Sequence, residues 1–182
     1  NFAITVPIAI ALGFDKPSPG LMERKPRPLQ QPVLSRAQWM RIVLLGVVMA
    51  AGTLLVEAYF GSVSAVLAAS MGATVFSLYN IFAGLSSRDE TQTAVSRDLL
   101  ADRRQVGLYG LALLLTILAT ELGVLQRILG TTSLSGDQWL LAIAVAATVL
   151  VVDEVIKFVL RRRRSAAPVP AAAAVPAAPV PA

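Results

Sequence analysis

The chain has 182 residues, 55% of them hydrophobic and 15% charged, with a mean hydropathy of +0.68. That is too apolar for a soluble domain of ordinary composition, and the net charge of +5 comes from basic residues flanking apolar runs, the pattern of membrane topology and not of nucleic-acid binding. With no Cys and no His, disulfides, thiolate metal sites, Cys or Ser–His nucleophiles and imidazole proton relays are excluded.

Asn1 opens the chain with neither an initiator Met nor the basic stretch of a signal peptide, so the sequence reads as truncated upstream. Residues 1–14 are apolar, but crossing a bilayer takes roughly 20 residues. With Pro7 inside and Gly13 near the end, they read as the second half of a spanning helix. Residues 15–38 are basic and proline-rich, from Asp15-Lys16-Pro17 through Lys25-Pro26-Arg27-Pro28 to Pro32, and are expected to form a surface loop.

Four segments then have the length and apolarity of complete spans: about 39–60, 65–86, 106–128 and 138–160. The first two are joined by only Gly61-Ser62-Val63-Ser64 and must form an antiparallel hairpin; Ser87 to Gln105 is a charged connector. Residues 161–182 begin with a run of Arg and continue in Ala, Pro and Val, a composition expected to be disordered. The predicted fold is all-α, a polytopic membrane helix bundle of four complete transmembrane helices plus the end of a fifth.

Orientation follows from charge. Of the 16 Lys and Arg, all but Arg127 fall on one side: the loop 15–41, the 88–104 connector and the end of the last span. The positive-inside rule puts that side, and both soluble ends, in the cytoplasm.

Polar residues inside the spans show which faces turn inward. Ala69, Ala73, Ser77, Asn80 and Gly84 form one stripe on the second span; Gly46, Ala50, Thr53 and Glu57 form another on the first. On the third, Thr116, Thr120 and Gly123 share a face near Glu121. A packing seam explains such stripes more simply than an ion path. Glu121 fits a functional carboxyl or one hydrogen-bonded to a neighbouring helix. Asp153 and Lys157 are spaced i, i+4 for an ion pair. Asn1 and Thr5 lie one turn apart just before Pro7, where an unwound helix exposes carbonyls to a cation.

Two stretches resemble the C-terminal transmembrane region of type II P-type cation-transporting ATPases, the group that includes the calcium pumps. Ala11-Leu12-Gly13-Phe14, Leu21-Met22-Glu23-Arg24-Lys25-Pro26-Arg27 and Pro32-Val33-Leu34 are similar to the loop after their sixth helix. Asp137-Gln138-Trp139-Leu140 and Asp153-Glu154-Val155-Ile156-Lys157-Phe158 are similar to the two ends of their tenth. The resemblance implies that residues 1–14 end the sixth helix, that the four spans are the seventh to tenth, and that the sixth and eighth contribute cation ligands. Asn1 then matches a ligating asparagine, Thr5 stands where the family has a ligating aspartate, Ser77 stands at a glutamate position and Asn80 matches a family asparagine.

Two carboxylates of a two-calcium pump are therefore replaced, and hard dications favour carboxylate oxygens, so the transported cation is calcium or another ion. The short loop 61–64 suits a bacterial pump without an accessory subunit there. Nothing resembles the family's Asp-Lys-Thr-Gly-Thr phosphorylation motif or a phosphate-cradling loop, so the chain has no catalytic residues and no cofactor of its own. ATP and Mg are expected for the complete pump. The expected partners are the bilayer, the missing N-terminal part of the same pump and the transported cation, and the expected location is the plasma membrane. The alternative is a free-standing four-span membrane scaffold that binds partners without transport, its basic ends holding anionic headgroups.

Overall fold

A computed structural model describes residues 2–14, 34–87 and 102–165. Asn1, most of the basic loop, the connector from 88 to 101 and the tail after 165 lie outside the described residues, as do the expectations made for them. The described part is helical: α1 (Phe2–Gly13), α2 (Arg36–Gly61), α3 (Ala65–Ser87), α4 (Arg103–Glu121), α5 (Gly123–Leu129) and α6 (Gly136–Ser165).

Two of these helices begin with the same local device on different sequences. At α2, the Ser35 hydroxyl accepts from the Gln38 N–H at 3.2 Å while the Gln38 side chain accepts from the Ser35 N–H at 2.7 Å. At α6, Ser135 and Gln138 exchange the same two bonds at 3.3 and 2.8 Å. Each reciprocal pair satisfies amide donors that a helix start leaves open. A tryptophan follows directly in both, Trp39 and Trp139, suited to the membrane–water boundary. At α4, Asp102 caps the Arg104 N–H at 3.0 Å.

The centre of the bundle is α3, which packs against α1, α2, α4 and α6. It buries residues around most of its circumference, among them Met71, Val75, Leu78, Tyr79 and Ile81. Helices α4 and α6 each present one face to the bundle. Gln105, Tyr109, Ala112, Thr116 and Thr120 recur at steps of three or four on α4, and Ala142, Ala146, Val149, Asp153 and Lys157 do so on α6. By contrast α2 buries only Val56 and Phe60 fully and leaves Trp39, Leu54, Leu55 and Tyr59 exposed, as lipid-facing or helix-facing residues of a membrane bundle are.

The small-residue seam expected on α2 is not where it packs. Gly46 and Ala50 are exposed, and a Cβ added at Gly46 would meet nothing within 4 Å. The face turned to α3 and α6 carries Leu45, Met49, Gly52, Val56 and Phe60, because Gly52 alone admits the Tyr79 phenol, which would collide with any Cβ there. The Tyr79 hydroxyl meets Thr148 Oγ1 at 3.0 Å. Thr148 donates its own proton to the Val145 carbonyl at 2.6 Å, so Tyr79 is the donor of that pair.

A second difference concerns the third span. The continuous helix expected over 106–128 is broken at Leu122, where α5 turns 80° from α4. Among the described residues three helices are long and apolar enough to cross a bilayer unaided, Arg36–Gly61, Ala65–Ser87 and Gly136–Val159; α4 and α5 reach that standard only as a bent pair. At 1.5 Å per residue, the 19 residues of α4 extend about 28 Å, close to the hydrocarbon thickness by themselves.

Side chains take up the carbonyls freed by the break. Gln126 Nε2 donates to the Thr120 carbonyl at 2.6 Å, and Thr131 Oγ1 to the Ala119 carbonyl at 2.7 Å. An unsatisfied carbonyl at membrane depth is costly, and these two bonds remove that cost. Gly130 ends α5 with φ +67°, a conformation that glycine adopts without strain. The loop is then tied to α3 through the Thr132 N–H, which donates to Ser70 Oγ at 2.9 Å.

Replacing Gln126 with Leu leaves the Thr120 carbonyl without that donor. The expected loss is about 1–3 kcal/mol of stability, read as a lower midpoint in thermal unfolding of the detergent-solubilised protein, with Gly46→Ala as a substitution that does not lower it.

Candidate functional site

Of the four residues proposed for a cation path, the structure describes three, on α1 and α3. Thr5 is half-buried on α1, and its hydroxyl donates to the Phe2 carbonyl at 3.1 Å. On α3, Ser77 is buried and donates to the Ala73 carbonyl at 2.7 Å, while half-buried Asn80 donates through Nδ2 to the Phe76 carbonyl at 2.7 Å. Asn1 lies outside the described residues.

These bonds decide which atoms the side chains present. A serine hydroxyl has one proton, and Ser77 spends it on its own helix, turning oxygen lone pairs outward. The Phe76 carbonyl accepts only, so the Asn80 amide nitrogen faces it and Oδ1 is directed away. Both α3 residues therefore offer neutral oxygen acceptors.

Helix α1 meets this side of α3 at Gly84. A Cβ there would overlap Ile8 Cγ2, and it would stand 3.4 Å from Tyr109 Cε1 of α4, so the three helices converge on a position that only hydrogen can occupy. Above this contact the stripe opens. Ala69 and Ala73, predicted to lie in the same seam, are exposed in the structure. The 12 residues of α1, including Pro7, extend about 18 Å.

The other intramembrane groups are accounted for by structure. Glu121 Oε1 accepts from the Leu134 N–H at 3.2 Å and from the Trp139 indole at 3.0 Å, which fastens the end of α4 to the start of α6. Glu57 lies directly over Gly72 of α3, so the polar end of the α2 stripe does touch the bundle. Among the described residues no group of three or more Asp, Glu, His or Cys is placed to hold a metal ion.

A charged cluster at the far end of α3 was only partly foreseen. Asp153 and Lys157 form the expected pair at 3.2 Å, and both are fully buried, at 0% and 1% exposure. Arg41 of α2 adds a two-pronged bond to the same carboxylate, Nε to Oδ1 at 2.6 Å and Nη2 to Oδ2 at 2.9 Å. Ser86 completes the cluster. Its hydroxyl donates to Asp153 Oδ2, and its carbonyl accepts from Lys157 Nζ at 2.8 Å and Arg41 Nη2 at 3.4 Å. Two cations thus share one carboxylate and the carbonyl end of α3, where the helix dipole is negative. On sequence alone Arg41 counts only among the topology charges of the loop 15–41; its pairing with another helix is visible only in the structure.

Enlarging Gly84 to Val is expected to push α1 off α3. The cost of overpacking is about 1–3 kcal/mol, detectable as a lower unfolding midpoint of the purified protein.

The chain is similar to known proteins along most of its length. Residues 1–159 match the family model described as the C-terminus of cation-transporting ATPases. A calcium-transporting ATPase of Schizosaccharomyces pombe is 26% identical over 166 residues, covering 90% of this chain and 18% of that protein. A calcium-transporting ATPase of Listeria monocytogenes is 26% identical over 156 residues, covering 83% of this chain and 17% of that protein. The chain thus spans less than a fifth of the length of these relatives. It belongs to the cation-transporting ATPase family, as the C-terminal membrane region of such a protein.

Proposed function

We propose that this chain forms the trailing half of the membrane domain of a P-type pump that moves a cation across the plasma membrane, with α1 and α3 lining part of the ion's route. The observation that carries the reading is the match of residues 1–159 to the family, together with the convergence of α1 on the polar face of α3 at Gly84. Family membership favours this reading over that of a free-standing scaffold.

The orientation read from charge places both soluble ends in the cytoplasm, with α1 and α3 running in the same direction. Ile8 touches Gly84; Thr5 lies three residues before the one and Asn80 four before the other, so the two are level along the membrane normal. Asn1 precedes Thr5 by one further turn in sequence, as Ser77 precedes Asn80.

The ligand chemistry on these two helices is neutral. Hydroxyl and amide oxygens replace a cation's hydration, but a hard dication also favours carboxylate charge, which Thr5, Ser77 and Asn80 do not supply. Calcium, named for both relatives, is the leading cargo; replacement of the family's two carboxylates by Thr5 and Ser77 suits fewer calcium ions per cycle or a different cation. ATP and Mg act in the parts of the pump beyond this chain, which supplies helices for the route and no step of hydrolysis.

Radiotracer uptake into vesicles carrying the full pump tests the site. Ser77→Ala and Asn80→Ala are each expected to raise the half-saturating cation concentration about tenfold, the equivalent of about 1.4 kcal/mol of lost coordination. Unchanged affinity in both variants removes α3 from the ion's route.

A further inference from the structure

The cluster around Asp153 lies away from the proposed cation ligands but on the same rigid element. Ser86 is six residues beyond Asn80 and nine beyond Ser77, about 9 and 14 Å along the helix axis. We propose that Asp153 is a positioning residue for cation binding: clamped by Arg41 and Lys157, it holds the end of α3 at Ser86 and thereby fixes the register of Ser77 and Asn80. The inference rests on the cation-route reading given above.

Three features support this role. First, the contacts are made to both polar groups of a single residue. The Ser86 hydroxyl is bound by Asp153, and its carbonyl by Lys157 and Arg41, so the helix end is constrained against both rotation and sliding. Second, the constraint comes from two directions, α2 through Arg41 and α6 through Asp153 and Lys157. An apolar contact resists separation but tolerates sliding; a two-pronged guanidinium–carboxylate bond has one geometry, and fixing register is the best-attested use of buried ionic groups.

Third, the geometry makes register matter. Slippage of α3 by one residue rotates its side chains about 100°. Ser77 and Asn80 would then leave the face that Gly84 presents to α1; between Ser86 and Asn80 stand only Ile81, Phe82, Ala83, Gly84 and Leu85, all apolar or small, and the next polar tether of α3 is the bond of Tyr79 to Thr148.

The test uses the full pump in vesicles, with cation uptake measured across a concentration series for Asp153→Asn, Ser86→Ala, Asp153→Glu and Ser77→Ala. A purely structural anchor affects how much folded pump is present, which lowers maximal uptake and leaves half-saturation unchanged. Positioning predicts the other pattern: Asp153→Asn and Ser86→Ala raise half-saturation by about tenfold per folded pump, and Asp153→Glu recovers part of the shift.

If Asp153→Asn does not accumulate, Ser86→Ala, which keeps all the charges, decides alone. A shifted Ser77→Ala with unshifted Ser86→Ala and Asp153→Asn overturns the positioning role and leaves the cation route intact. An unshifted Ser77→Ala together with an unshifted Asn80→Ala overturns the route itself, and the positioning role with it.

Discussion

Removing a carboxylate from water is expensive unless its charge is met at close range, and Asp153 meets that condition with partners from three helices. Arg41 comes from α2, Ser86 from α3 and Lys157 from the same helix as Asp153 itself. If the helices separate, Asp153 keeps Lys157 on its own helix but loses Arg41 and Ser86, so the ionic cluster favours one mutual arrangement of α2, α3 and α6. The remaining contacts are consistent with that arrangement: Tyr79 enters the notch at Gly52, and Thr148 receives its proton. On the other side of α3, Gly84 admits α1 and α4.

The hydrocarbon adds a second constraint, that polar backbone groups find partners within the protein. This explains why the break at Leu122 is flanked by Gln126 and Thr131, whose side chains bind the Thr120 and Ala119 carbonyls. It also explains the hydroxyls along α3 and α4. Ser70, Thr74, Ser77, Thr116 and Thr120 all bond carbonyls of their own helices, which lets polar residues occupy a bundle interior without a neighbour's help. The same habit turns the Ser77 oxygen into an acceptor, the property a cation route uses.

Much of the fold was legible because hydrophobic length and charge placement are one-dimensional signals. The hairpin of α2 and α3 and the start and extent of α6 follow from apolar runs and the residues that bound them. Packing was less legible. The stripe of Gly46, Ala50, Thr53 and Glu57 has the correct period but only partly the correct face, because Tyr79 of another helix selects Gly52. The break in the third span was harder to read: Glu121 and Gly123 flank it, and Gln126 and Thr131 replace the lost backbone partners, but each of these residues also fits the end of a straight helix. Of the candidate site, Thr5, Ser77 and Asn80 were found through resemblance, whereas Arg41 and Ser86 escaped notice because ion pairs across helices leave no fixed spacing in sequence.

The corner at Leu122 also has a mechanical consequence. A short helix turned 80° from one that crosses the membrane lies close to the plane of the bilayer, and α5 exposes Val124, Ile128 and Leu129 along with Arg127. Such a helix floats at the headgroup boundary and resists being drawn deeper or lifted out. Joined to α4 and tied through Thr132 to α3, it moves with that end of the bundle. A change in bilayer thickness is then met by tilt, or at the opposite end of the bundle, more readily than here.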